Sequence, residues 1–255
     1  MIIAIPDNPL FQPLFARAEE VAAANNGRVI RTTEEQCIHL LHANSADLAL
    51  LSPYGYGKGV TQSDYRIVPT TCCILNGWTN TGAIFFGKGL ETINTLTSSV
   101  PDDFITRAGQ IILEEQFDIE HPLQPGKGTV AELLTTHDAV IGWRGNEDEY
   151  TGMDISEEWQ LCFDTTLPIM LWVCREENSV ELPLFDITEQ LATPNLQAVQ
   201  QCTEQHPHGD TFAREGEILW RWNEQTEEHL TQILYLLYYH QCFPEIPAVK
   251  ILGRD

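Results

Sequence analysis

Positive charge is scarce in this chain: its 255 residues carry 14 Lys and Arg against 37 Asp and Glu, a formal net charge of −23. Neither nucleic acid nor an anionic membrane surface is an expected partner, because each is held by basic patches that displace counterions. The plain reading of the charge is solubility. Long apolar runs are missing too, since no stretch approaches the ~20 residues needed to cross a bilayer. The first residues, MIIAIPDNP, have neither a basic start nor a long apolar core, so a cytoplasmic location is expected. The seven cysteines (Cys37, Cys72, Cys73, Cys162, Cys174, Cys202 and Cys242) form no Cys-x-x-Cys pair, and their odd count does not suit a disulfide framework. Nor is there a nucleophile elbow, a phosphate loop or a dinucleotide fingerprint; the glycines of GYGKG follow none of those spacings. Histidines cluster only at His39 with His42 and at His206-Pro207-His208, without Cys or Glu at zinc-like spacing. No metal and no cofactor are expected.

What is present is core-forming: 43% of the residues are hydrophobic, enough for one large or two small domains. MIIAIP reads as a strand, and Pro9 to Ala24 has helical spacing, with Leu10, Leu14, Phe15, Ala18, Val21 and Ala22 on one face. RVIRT is the next strand, Thr32 to Glu35 cap a helix over CIHLLHA, and Asp47 to Leu51 is a third strand followed by a turn, SPYGYGKG. This is the βαβαβ order of a parallel sheet wrapped by helices. Tyr65 to Leu75 and Thr81 to Phe86 then read as strands with no helix between, which marks the start of a second lobe. INTLTSS, a helix from Pro101 to Gln116, a helix near Val130 to Leu134 and the strand DAVIG build that lobe, and TLPIMLWVC returns the chain. The remainder reads as helical, with helices over Pro183 to Gln201 and Thr226 to Gln241. The aromatic run LYLLYYHQCF reads as a packed core helix with Ile233, Leu236, Leu237 and His240 inward, although a homodimer contact would show the same pattern. Trp220 and Trp222 read as packing residues.

The expected fold is therefore α/β, two-lobed, with mixed sheets and two crossing hinge strands: 1–80 with 173–255 as one lobe, 81–172 inserted as the other. That is the plan of the type II periplasmic-binding-protein fold. DLALLSPYGY, YRIVP, TSSVPDDF, DAVIG and DISEEW…TLPIMLW occur in the order found in the chorismate dehydratase family, the menaquinone enzymes of the futalosine route, and the chain resembles that family along most of its length. The resemblance implies a hydro-lyase converting chorismate to 3-(1-carboxyvinyloxy)benzoate and water; a non-catalytic solute binder or sensor on the same fold is the alternative. Three departures from the family pattern sit at strand ends, where open α/β sheets bind ligands. They are Ile5-Pro6-Asp7-Asn8-Pro9, Ile141-Gly142-Trp143-Arg144, and Thr165-Thr166-Leu167-Pro168.

Such chemistry needs a small anionic carboxylate ligand held in place, a base beside the ring proton and help for the departing hydroxyl. Thr97, Ser98 and Ser99, with the amides of a helix starting at Pro101, are candidate carboxylate binders; alternatively Ser99 is a plain N-cap. Ser52 either contacts ligand or starts a turn. Asn8 is either a cap before Pro9 or, as the resemblance suggests, a ligand contact. Arg144 beside Trp143 can clamp a carboxylate in two contacts, or pair with Glu147, Asp148 or Glu149; Arg66 and Lys58 are lesser candidates. Thr166 completes the substrate-binding set. Asp7, Asn8 and Ser52 are the only candidates for catalytic work, and no general base stands out.

Overall fold

The structure, a computed structural model, describes residues 1–145, 152–179, 183–204 and 213–254. His206, Pro207 and His208, and the acidic run Glu147, Asp148 and Glu149, lie outside the described residues. In chain order come β1 (Ile2–Pro6), a 3-10 turn (Pro9–Phe11), α1 (Gln12–Phe15), α2 (Ala18–Ala24), β2 (Arg28–Thr32), α3 (Glu34–His42), β3 (Leu48–Leu51) and α4 (Pro53–Val60). There follow β4 (Tyr65–Gly77), β5 (Gly82–Phe86), β6 (Leu96–Ser98), α5 (Phe104–Phe117), β7 (Leu123–Pro125), α6 (Val130–Leu133), β8 (Ala139–Trp143), β9 (Gly152–Asp154) and α7 (Ile155–Phe163). The chain closes with β10 (Leu167–Arg175), α8 (Glu176–Ser179), α9 (Leu184–Leu191), β11 (Val199–Thr203), β12 (Glu215–Arg221) and α10 (Glu224–Tyr239).

One sheet runs β11-β12-β4-β10-β3-β1-β2, with β1 parallel to β2 and β3, and β10 antiparallel to β3. β3 is buried throughout and β10 along all but its last residue, as expected of strands covered on both faces. β2, at the sheet edge, is half-exposed. The second sheet runs β7-β6-β8-β5-β9; β6 is parallel to β7 and β8, and β5 is antiparallel to β8 and β9. α5 comes close to this sheet because Gly109 has no side chain: a Cβ there would lie 2.7 Å from Ile141 Cγ2. The strand order β2-β1-β3-β10-β4, in which a returning antiparallel strand follows three parallel ones, matches the two-lobed plan expected from the sequence.

The chain divides into two compact units, 1–74 with 167–200 and 218–255, and 75–166 with 201–217. The crossings fall inside β4, ahead of β10, and inside β11 and β12, whereas the sequence suggested two crossings at 80/81 and 172/173. The first two shift because β4 runs unbroken to Gly77 and β10 starts at Leu167. The second pair arises because the stretch read as helical contains β11 and β12. β12 has a two-residue period, with Ile218 and Trp220 buried.

Four further expectations are corrected. Pro9 to Ala24 is three short pieces: the 3-10 turn, α1 with Pro13 in its first turn, and α2 after a break at Ala16 and Arg17. SPYGYGKG is the helix α4; its glycines fit where neighbours leave no room for a side chain, Gly57 against the Phe243 ring and Gly59 against the Tyr65 ring. The helix expected at Pro101 starts at Phe104 with Asp103 as N-cap, after a turn in which the Asp103 N–H donates to Val100 O at 3.1 Å. The span Pro183 to Gln201 holds one helix, α9, which ends before Pro194, and then the start of β11.

Candidate functional site

In the first unit, the carboxyl ends of the adjacent parallel strands β1 and β3 bring Asn8 and Ser52 to one edge of the sheet. Asn8 has extended backbone (φ −128°), and its Oδ1 accepts the Leu10 N–H at 3.0 Å, capping the 3-10 turn. Asp7 is exposed, with its N–H given to Thr32 O at 2.9 Å. Ser52 is fully buried and is the N-cap of α4, its Oγ accepting the Gly55 N–H at 3.1 Å.

The Ser52 N–H itself donates to Glu34 Oε1 at 2.7 Å. Glu34, the first residue of α3, is buried, and a Cβ on Gly55 would come within 2.6 Å of the same oxygen. A carboxylate of the protein's own thus occupies the N-terminus of α4, where amide groups and the helix dipole favour an anion. Glu34 was missed in the sequence because its place after Thr33 reads as an acidic first turn, which it also is. The two cationic candidates of this unit are engaged away from that contact. Arg66 pairs with Asp64 at 2.6 Å and Glu176 at 2.5 Å, and Lys58, in the last turn of α4, lies 4.1 Å from the Tyr54 ring centroid.

In the second unit, Thr97 and Ser98 are buried and turned to structural work. Thr97 Oγ1 donates to Gln124 O at 2.7 Å; Ser98 Oγ accepts the Val100 N–H at 3.0 Å and shares a 3.0 Å bond with Thr106 Oγ1. Ser99 is exposed and caps no helix, so the carboxylate cradle expected at a Pro101 helix start is not formed. Trp143 Nε1 donates to Asp103 Oδ2 at 2.8 Å. The Arg144 N–H donates to Thr81 O at 2.7 Å, and its guanidinium carbon lies 5.0 Å from the Phe85 ring centroid. The side chain therefore lies back over β5, beside Gly152, and does not extend past the strand end. Thr166 is half-buried at the join between the units, next to Thr165, which accepts the Trp159 indole N–H at 3.0 Å.

DISEEW serves as a helix start. Asp154, 1% exposed, caps α7 by accepting from Ser156 N and Glu157 N at 3.1 Å each, and takes the Asn80 N–H at 2.7 Å and the Ser156 hydroxyl at 2.8 Å. Ser156 Oγ in turn meets Thr79 Oγ1 at 2.8 Å, and Thr79 meets Thr81 at 2.9 Å. The chain signal for this network is the Asp-x-Ser start of the motif, which reads as an acidic capped segment and does not show the partners Asn80 and Thr79. Among the described residues no group of three His, Cys, Asp or Glu side chains can hold a metal ion. His42 Nδ1 is 3.2 Å from Ser63 Oγ on the surface. Burial pushes the Cys37 and Cys174 thiols up to about 12, which leaves them protonated and unreactive at neutral pH.

Burial also raises the Asp103 carboxyl above its ordinary value, with the Trp143 indole opposing. A carboxyl whose folded pKa is raised stabilises the fold below its unfolded pKa and loses that contribution as pH rises through the folded one. Asp103→Asn, which keeps an acceptor for Trp143, is therefore expected to raise stability relative to wild type at neutral pH. The gain shrinks as pH falls toward the ordinary carboxylate value of about 3.9. Urea unfolding of both proteins across that range checks it.

No protein-family model and no curated protein matches the sequence. Solved structures do match in shape. A crystal structure described as an ABC transporter from Parabacteroides distasonis is similar over 100% of this chain and 99% of its own, with 12% identity and a TM-score of 0.57. The protein AF1704 from Archaeoglobus fulgidus is similar over 95% of this chain and 98% of its own, with 9% identity and a TM-score of 0.54. The Candida albicans CA3427 product, described as exhibiting the generic periplasmic binding protein structural fold, covers 75% of this chain and 70% of its own at 10% identity and a TM-score of 0.47. The α/β fold with its two mixed sheets is shared with the first two of these structures. At such identities the likeness speaks for fold and not for ligand.

Proposed function

We propose that the protein is a non-catalytic binder of a small organic molecule, held at the carboxyl end of the first unit's sheet, where Asn8 and Ser52 stand. The observation that carries this reading is the Glu34–Ser52 contact: the N-terminus of α4 at that edge is already filled by a buried carboxylate. A ligand meeting this edge is recognised by hydroxyl or amine groups and not by a carboxylate, since a second negative charge beside Glu34 is repelled in a poorly solvated place. Further support comes from the side chains that a dehydration would need. Thr97 and Ser98 are spent on internal hydrogen bonds, and Arg144 is folded over Phe85.

A second reading, the hydro-lyase acting on chorismate, has one specific observation in its favour. Asn8 and Ser52 end neighbouring strands, as the family resemblance expects of ligand contacts. Incubation with chorismate decides between the two. The binder reading expects no loss of chorismate absorbance and no 3-(1-carboxyvinyloxy)benzoate; appearance of that product in proportion to enzyme replaces it with the lyase reading.

A further inference from the structure

A cavity in the second unit lies at the end of its sheet where β6 and β8 begin. It has a volume of about 630 Å³, inside the ~300–1,000 Å³ range of small-molecule pockets. Phe86 and Met153 form its floor from β5 and β9, Leu113 and Phe117 its wall from α5, and Leu90 and Ile93 its cover from the loop before β6. The floor sits there because β5 is antiparallel to β8, which puts Phe86 beside Ala139 at the start of β8. Phe117 is 44% exposed at the helix end, an apolar ring left in solvent beside an apolar hollow. The polar groups in the lining are few, with Glu91 the only charged one and Thr92 beside it.

We infer that this cavity is a binding site for an apolar small molecule bearing an uncharged or cationic polar group. The walls supply burial for a ring system or alkyl chain, and Glu91 and Thr92 supply acceptors for an N–H or O–H at its end. An anionic head is disfavoured twice, by Glu91 in the lining and by the chain's net charge of −23. The site is independent of the edge holding Asn8 and Ser52, since every lining residue belongs to the second unit. Either reading can fail without the other.

The test uses N-phenyl-1-naphthylamine, a neutral apolar amine whose fluorescence rises on leaving water. The wild-type chain is expected to give a saturable rise at one probe per chain. Phe117→Glu and Thr92→Trp alter exposed positions, so the core packing stays intact; each is expected to weaken the probe at least tenfold with an unchanged circular dichroism spectrum. Dodecylamine should displace the probe at least tenfold more effectively than dodecanoate. The inference is overturned by the absence of saturable binding to wild type, by affinity unchanged in both folded variants, or by equal displacement by amine and carboxylate.

Discussion

Asp154→Ala is expected to lower unfolding stability by about 3–5 kcal/mol, more than any other polar substitution in the second unit. The carboxylate accepts the backbone N–H groups of Asn80, Ser156 and Glu157 and the Ser156 hydroxyl, at a position only 1% exposed. Alanine takes the acceptor from the three backbone N–H groups, while the Ser156 hydroxyl keeps Gly77 O at 2.6 Å; a lost N-cap alone costs about 1 kcal/mol. Asp154→Asn separates cap from network. Its Oδ1 still serves Ser156 and Glu157, while its amide faces the Asn80 N–H as a second donor, so about half the loss is expected. Urea unfolding monitored by tryptophan fluorescence reads both, with Trp159 on α7 and Trp143 on β8 as reporters in the same unit. Equal, small effects for the two variants would mean that the network does not hold α7.

Glu34→Ala is expected to cost about 2–3 kcal/mol, the range for a hydrogen bond to a charged group together with the penalty on its abandoned donor. The Ser52 N–H loses its acceptor at a fully buried residue, and the N-terminus of α4 loses its counter-charge. Glu34→Gln keeps an oxygen for that N–H, so it retains most of the stability while removing the negative charge. This pair of variants bears on function as well as on folding, since the account makes Glu34 the group that excludes a carboxylate from this edge.

Much of the fold was legible in the sequence, and the misses share a physical cause. β1, β3 and β10 announce themselves as apolar runs because both faces are covered, RVIRT coincides with β2, and DAVIG falls one residue short of the end of β8. α4 was hidden because helix propensity counts Gly55, Gly57 and Gly59 against a helix, whereas close packing against Glu34, Phe243 and Tyr65 demands their lack of a side chain. β12 was hidden among residues rich in Glu and Trp, although its alternating Ile218 and Trp220 carry the two-residue period. The crossings inside β11 and β12 followed from that miss.

The candidate site was legible only in part. Asn8 and Ser52 follow strands that are neighbours in the sheet, so their shared edge follows from strand order. Side-chain roles did not follow. Whether Thr97, Ser98 and Arg144 face a ligand depends on partners, Gln124, Thr106 and Phe85, that the local sequence does not identify. Glu34 is the plainest case: its partner Ser52 lies 18 residues away, and local sequence shows only a helix's acidic first turn.

The most direct test of the account is chemical rescue of Glu34→Ala by acetate, followed as the thermal unfolding midpoint against sodium chloride of equal ionic strength, which keeps screening equal. If Glu34 fills an anion position at α4, free acetate enters the vacated place and binds only the folded variant; acetate at ten times its Kd stabilises by about 1.4 kcal/mol. The account predicts a midpoint that rises with acetate for Glu34→Ala and does not move for wild type. A rise of equal size in wild type, showing that a carboxylate binds there with Glu34 in place, would contradict it.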